Sequence, residues 1–236
     1  MSYSNRRNRG RGAFSYFLEF IIIIAGITVS FFLNEWRAAK KAEEKKISLL
    51  QEINNDLAKD SIQLELSIKL YQKLLNSHDS LLENAKSTLN EDSLDVYVDQ
   101  VASYYPFKET QSTFLKIIND PDLVISKQDT LLELFLVIHN QLYQYTHEWT
   151  SNDKSFVLEQ LLPYMDMHAP FYYPPPTNKS FQGKVFNALK KDDAFMNLLK
   201  SGRSYKSAIL QVYGACLSQL KTYKSKVNNR LEKPIS

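Results

Sequence analysis

The chain has 236 residues, of which 44% are hydrophobic and 23% charged, a balance typical of a folded protein with one or two domains. Its formal net charge is +3, but four arginines lie in the first twelve residues, so residues 13–236 hold 25 basic and 26 acidic residues. This distribution argues against nucleic acid as a partner, because phosphate binding needs Lys and Arg clustered over a whole face. The single cysteine, Cys216, excludes an internal disulfide and any multi-cysteine metal or redox site.

The segment 13–33 is the first element, and it reads AFSYFLEFIIIIAGITVSFFL with one charge. A helix of this length spans about 30 Å, the thickness of the hydrocarbon core of a bilayer, so the segment predicts a transmembrane helix. The alternative is a secretory signal peptide. The apolar region of a signal peptide is usually only about 7–15 residues long and is followed by an A-x-A cleavage site, and no such site follows this segment. We interpret residues 1–12 as a basic tail and 13–36 as a retained anchor in the lipid bilayer, with Asn34 and Trp36 at its interfacial end.

The orientation of this anchor is less well defined, because four Arg precede the span and five Lys or Arg closely follow it. A short amino-terminal tail is the easier end to keep in the cytoplasm, and long domains translocate largely regardless of charge. We therefore expect a single-pass protein of the inner membrane, with a cytoplasmic N-terminus and residues 37–236 outside the cytoplasm.

Glu19 is the one charge in the span, and an ionised carboxylate in hydrocarbon costs a few kcal/mol. It lies close enough to the end of the span to snorkel or to be protonated. A second interpretation starts from spacing, since Glu19 and Gly26 are seven residues apart and Ser30 follows Gly26 by four. Such a face of small residues lets two helices approach closely, so it predicts packing on a second copy or on another membrane protein.

Residues 37–90 are predicted to form a long helical stalk, because no proline or glycine occurs between Lys40 and Leu89. Along this helix, two positions of the seven-residue repeat, three residues apart, form one stripe, which we call the seam. The seam comprises Leu50, Leu57, Leu64, Tyr71, His78 and Ala85, together with Ile53, Asp60, Ser67, Leu74 and Leu81. Half of these residues suit a coiled coil and half do not. A two-stranded coiled coil and an amphipathic helix folded back onto later helices are both open.

The remaining sequence, 91–236, is predicted to be a helical domain without an internal repeat. Ser126 and Asp129 fit a capping box in front of the helix that begins at Leu131. The other expected helices lie at 94–105, 112–119, 156–167 with an interruption near Pro163, 181–190, 195–199 and 203–231. A proline-rich loop at 168–177 cannot be helical. The expected fold is all-α: a transmembrane helix, a long amphipathic helix and a bundle-like domain.

Two segments resemble an uncharacterised family of bacterial single-pass proteins. The span matches the family's pattern E-I-x-L-x-x-x-G-I-x-x-A-x-x-x-N-x-W. The matching residues are Glu19, Gly26, Ile27, Asn34 and Trp36. Ser112, Thr113 and Phe114, then Leu123, Ile125, Leu131, Leu132 and Tyr143, resemble a second motif, S-T-[FY]-x-x-L-x-x-x-G-x-L-x-x-I with a helix that ends in Tyr. Here the family's G-x-L is replaced by a proline turn at 120–123. The resemblance implies an anchor and a helical architecture, and it implies no activity.

No local motif for chemistry is present. His139 and His147 lie eight residues apart on a predicted helix, so they do not readily share one metal. The zincin, di-iron, nucleophile-elbow, dinucleotide and P-loop signatures are all missing. Cys216 lies on an apolar helix face, which favours a buried thiol over a nucleophile. We therefore predict no catalytic residue, no metal ligand and no cofactor.

The leading hypothesis is a non-enzymatic, membrane-anchored helical scaffold that binds other proteins or itself. A subunit of an ion-coupled membrane complex, in which Glu19 titrates or pairs, is the alternative. A membrane-tethered enzyme comes third, since nothing local supports it.

Overall fold

The computed structural model describes residues 13–84, 91–120, 130–169 and 182–232. Within these ranges the structure contains helices and no strand, which confirms the all-α prediction. The predicted capping box at Ser126 and Asp129, and most of the predicted loop at 168–177, lie outside the described residues.

Six helices make up the described chain. The first three are α1 (Ala13–Asn84), α2 (Glu91–Val101) and α3 (Ser112–Asn119). Residues 130–168 form one continuous helix, α4, in which α-helical Thr130–Val137, Gln144–Phe156 and Leu162–His168 alternate with π-helical Ile138–Tyr143 and Val157–Leu161. The last two helices are α5 (Gln182–Leu189) and α6 (Asp193–Leu231).

The chain divides into two compact units at residues 49 and 50, and α1 runs through the division. In the first unit, every residue from Phe14 to Leu33 is exposed, including large side chains such as Phe32 at 71%. Among the described residues, α1 is the one helix long and apolar enough to cross a membrane. Residues 50–84 of α1 belong to the second unit, with helices α2 to α6.

The heptad seam of α1 is the core of the second unit. All ten of its described positions are buried, and Leu50, Leu57 and Leu64 are fully so. The polar positions are buried as well, and two of them bind side chains of a later helix: Tyr71 donates to Asp153 and Asp60 accepts from Tyr143, both of α4. The seam is thus buried within one chain, as expected for a helix that packs against later helices.

A second apolar cluster joins the end of the seam to the shorter helices. It brings Leu81 of α1 together with residues of α2, α4, α5 and α6. These residues include Leu94, Val98, Phe156, Leu161, Val185, Phe186, Phe195 and Leu199. Removing this much apolar area from water is the main force that holds the short helices α2 and α5 in place.

Several helix boundaries differ from the prediction. The helix predicted to begin at Leu131 and the helix predicted at 156–167 are one helix, α4. Residues 195–199 and 203–231 are a single helix, and α2 ends at Val101 rather than at residue 105. In α4 the chain stays helical through Pro163, because the wider π turn at Val157–Leu161 directly precedes it. There the amide of Leu162 donates to the carbonyl of Val157, five residues back. Such a change of winding lets a helix continue where proline removes a hydrogen-bond donor.

Gly202 lies in α6 between the two segments that were predicted as separate helices. A Cβ atom at this position would lie 2.6 Å from Nε2 of His78 and 3.1 Å from a ring carbon of Phe156. The His78 ring is fully buried, and its Nδ1 lies 2.9 Å from the carbonyl oxygen of Leu74, so it has little room to move. Glycine is therefore needed here for the close approach of α6 to α1.

Replacing Gly202 with Ala is expected to destabilise the protein, because the new methyl group overlaps the buried His78 ring. Overpacking of this kind costs about 1–3 kcal/mol. Gly214 is the matched control, since it lies in the same helix and nothing is within 4 Å of its Cβ position. There Gly214→Ala should stabilise the helix by roughly 0.5–1 kcal/mol. Urea unfolding in detergent micelles measures both, and equal effects of the two substitutions would refute the packing argument.

Candidate functional site: a buried polar network

Residues 103–111 connect α2 to α3 as non-helical chain, and side chains from α1 and α6 bind its backbone. Lys206 donates to the carbonyl of Ser103 at 2.9 Å. The amide of Tyr105 donates to the Tyr71 hydroxyl at 3.3 Å, and that of Phe107 donates to the Tyr213 hydroxyl at 2.8 Å. Because this segment has no helical or sheet partners of its own, these bonds replace those of regular secondary structure.

Two carboxylates of α1 hold the far end of this segment. Asp60 accepts from the amide of Thr110 at 2.8 Å and from the Tyr143 hydroxyl at 2.7 Å. Burial raises the pKa of Asp60, against the lowering effect of these two hydrogen bonds. The side chain is 1% exposed, so each of these donors offsets part of the cost of burying it.

Asp56 acts as the N-terminal cap of α3, although it belongs to another helix. Gln111 occupies the N-cap position of α3 without a capping side-chain bond, and Asp56 accepts instead from the amide of Thr113 at 3.1 Å. The hydroxyls of Thr113 and Ser112 donate to the same oxygen at 2.6 and 2.8 Å. Burial alone would raise the pKa of Asp56, but these hydrogen bonds outweigh it and lower the pKa. A carboxylate here also complements the positive end of the helix dipole.

The centre of the network is an ion pair between Asp153 of α4 and Lys206 of α6. The Lys206 ammonium lies 2.6 and 2.7 Å from the two carboxylate oxygens, and both residues are fully buried. Tyr71 donates to Asp153 at 3.1 Å. Burial raises the pKa of Asp153 and lowers that of Lys206, and the attraction between them opposes both shifts. The pair joins three helices and residue 103 at one point.

Aromatic rings surround this polar centre. Phe107 is 1% exposed, and its ring centroid lies 5.4 Å from that of Tyr143 and 6.2 Å from that of Tyr213. The Tyr71 and Tyr213 rings meet edge to face at 5.6 Å. The rings exclude water from the ion pair, which strengthens its electrostatic attraction and raises the cost of breaking it.

Two buried histidines lie on the edges of the network. His139 stacks on Phe114 at 4.5 Å, and His78 packs against Gly202. Burial lowers the pKa of each to about 4, and each has a buried Nε2 without a hydrogen-bond partner. His147 instead contacts Glu109 at 2.6 Å. Among the described residues, no group of three His, Cys, Asp or Glu is arranged to hold a metal ion.

Cys216 is buried in α6, as its apolar neighbours predicted. Burial raises the pKa of its thiol to about 12, so the reactive thiolate is strongly disfavoured. The carboxylates, the ammonium group and the thiol of this region are thus enclosed. Asp153 and Lys206 are fully buried, and Lys206 binds the backbone carbonyl of Ser103.

The residues predicted for the membrane segment lie in the first unit and are not part of this network. Glu19, Gly26, Ser30, Asn34 and Trp36 are all exposed along α1. Among the described residues, no atom beyond the helix backbone around Gly26 lies within 4 Å of its Cβ position, so this surface is open to close approach. Their predicted roles in packing and anchoring stay predictions.

The family of unknown function (DUF6090) matches residues 19–153, more than half of the chain. The chain belongs to this family. No curated protein and no solved structure matched it. The matched range contains both segments on which the resemblance rested, and the family is an uncharacterised one, as the resemblance implied.

The contacts of Ser112, Thr113 and Phe114 give a physical role to the second motif that resembles the family. Ser112 and Thr113 bind Asp56, and Phe114 stacks on His139, so this motif connects α3 to α1 and α4. Asp153 is the last residue of the matched range, whereas its partner Lys206 lies beyond it.

Asp56, Asp153 and Lys206 were not among the residues predicted from the sequence. A signal existed for Lys206, because it falls in register with the buried positions Leu199, Ile209 and Tyr213 of α6. A lysine on an otherwise apolar stripe indicates a buried partner of opposite charge.

Breaking the central ion pair is expected to cost far more than replacing it. Lys206→Met leaves Asp153 as a buried carboxylate without its cation, which costs about 3–5 kcal/mol. The double variant Lys206→Met/Asp153→Leu should lose less stability than the sum of the two single variants, because no buried charge is left unpaired. Urea unfolding of the four proteins in detergent micelles gives the coupling energy.

Lys221→Met is the matched control for this cycle, since Lys221 lies in the same helix as Lys206 and its exposed ion pair is with Glu65 of α1. It should leave stability nearly unchanged. Additive effects at Lys206 and Asp153 would show that the buried pair is not a unit.

Proposed function

We propose that this protein is a non-enzymatic, single-pass membrane scaffold, whose helical unit binds a second copy or another membrane protein. The observation that carries the proposal is the continuity of α1. One helix contains a fully exposed apolar stretch, residues 14–33, and then the seam that forms the core of the second unit. A globular protein gains nothing from exposing such a stretch to water, whereas a bilayer removes it from water.

The enclosed polar network supports a structural rather than a chemical role. Its buried carboxylates accept hydrogen bonds from the backbone or from neighbouring side chains, and its lysine is fully paired. Each group therefore has a function in holding the fold. We place the N-terminus in the cytoplasm and residues 37–236 outside it, at the inner membrane, on the strength of the short arginine-rich tail.

The face with Glu19, Gly26 and Ser30 is the proposed contact between copies. The open Cβ position of Gly26 supports it, because a small residue on an exposed face lets the backbone of a second helix come close. A carboxyl at position 19 would then be sheltered between helices rather than facing lipid.

Membrane anchoring is tested by placing charge in the span. Ile22→Arg/Ile27→Arg should prevent flotation of the protein with membranes in a density gradient, since each arginine in a span costs about 3 kcal/mol. The matched control is Ile62→Arg/Leu66→Arg, which changes two comparably exposed residues of the same helix outside the span. This control protein should still float. Flotation of both variants after a carbonate wash would contradict the anchor.

Pairing of the span is tested by disulfide crosslinking in membranes. Ser30→Cys in a Cys216→Ser background should give a dimer, and adding Gly26→Leu should reduce its yield severalfold because the larger side chain separates the helices. Ala25→Leu, one residue away and off this face, is the control and should leave the yield unchanged. If Ser30→Cys gives no dimer, the copies do not pair through this face.

A further inference from the structure

The residues that follow the span form a basic and aromatic surface on α1. Trp36 is 61% exposed, and Arg37, Lys40 and Lys41 are exposed beside it. In the described part of the chain, no ion pair engages any of these three cations. We name Trp36, Arg37, Lys40 and Lys41 the headgroup surface, and we propose that it binds phospholipids whose headgroups carry a net negative charge. The proposal rests on the membrane anchor proposed above.

Depth along the helix places these cations beside lipid phosphates. Arg37 follows Leu33 by four residues, a rise of about 6 Å, and the polar layer of each leaflet is roughly 5–8 Å thick. Lys40 and Lys41 lie about one further turn along. With the apolar stretch in the hydrocarbon core, Arg37 is at the level of the phosphates.

The direction of the Lys40 and Lys41 side chains brings their ammonium groups back toward the level of the lipid phosphates. In a helix the Cα–Cβ bonds tilt toward the N-terminus, which on α1 is the side of the span. The structure shows this directly, because the Lys40 ammonium lies 5.6 Å from the centre of the Trp36 ring, one turn nearer the span. The lysine stems thus reach toward the bilayer rather than away from it.

The angular positions of the charges concentrate the cations on one side. At 100° per residue, Arg37 and Lys41 lie about 40° apart, and Lys40 lies about 60° to the other side of Arg37. Glu35 lies on the opposite side of the helix from Arg37, at about 160°. Glu44 shares the cationic side but follows the span by a further turn. Next to the bilayer this side is therefore positive, and an anionic headgroup is the complementary ligand.

The ring of Trp36 defines the remaining part of the site. An indole at the interface is stable with its apolar face toward the acyl chains and its N–H toward the headgroups. The guanidinium of Arg37 can bind a phosphate with two parallel hydrogen bonds, which a lysine cannot do. One phosphate between Arg37 and Lys41, at the depth of the indole, satisfies all of these groups.

Quenching of Trp36 by brominated lipids tests the proposal. The chain has two tryptophans, so Trp149→Phe leaves Trp36 as the single emitter. The protein is reconstituted in bilayers in which either phosphatidylglycerol or phosphatidylcholine carries bromine on the acyl carbons near the headgroup. The brominated anionic lipid should bind at least about fivefold better than the zwitterionic one, because a single basic residue beside an anionic surface changes partitioning by about that factor and the headgroup surface has three.

Two variants give the comparison its control. Arg37→Gln/Lys40→Gln/Lys41→Gln should bind both lipids equally while phosphatidylcholine still quenches it, which shows that it is inserted. Lys69→Gln/Lys73→Gln/Lys200→Gln removes three exposed lysines elsewhere and should keep the preference for the anionic lipid. Equal binding of both lipids by the parent protein, or a preference that survives in the first variant, would overturn the headgroup surface alone. Absence of quenching by either lipid would overturn the anchor as well.

Discussion

A non-helical stretch of backbone inside a helical bundle needs partners for its N–H and C=O groups, and this requirement organises the second unit. Residues 103–111 find these partners on α1 and α6. The donors and acceptors are side chains that are costly to bury, so each one is paired in turn, most tightly Asp153 with Lys206. The segment and the helices therefore specify one another: the helices supply the partners, and the segment fixes their spacing.

The seam of α1 contains both apolar and polar residues, and the two kinds have different roles. Its leucines supply buried apolar area, which favours association without selecting one geometry. Its polar positions, Asp60, Tyr71 and His78, have defined partners or close neighbours, so they select one register of α1 against the later helices. Loss of a partner at any of these positions leaves a buried polar group, which penalises alternative registers by more than an apolar mismatch would.

Much of the architecture was predictable because it follows local rules. The exposed apolar stretch, the long helix after it and α3 follow from apolar length, from the lack of helix breakers and from proline and polar boundaries. The buried network was not predictable, because it depends on pairs such as Asp56 with Thr113 and Asp153 with Lys206 that lie more than 50 residues apart. Gly202 lies between the helices predicted at 195–199 and 203–231, and its role also depends on a distant residue, because it makes room for a ring on another helix.

Hydrogen exchange at single-residue resolution tests this account most directly. In the full-length protein in detergent micelles, the amides of Phe107, Thr110 and Thr113 should exchange as slowly as amides inside α4 and α6, because they bind buried side chains and are released only when the second unit unfolds. If these three amides exchange orders of magnitude faster than the helix interiors, the polar network does not hold the segment, and its role as the organising constraint of the fold is contradicted.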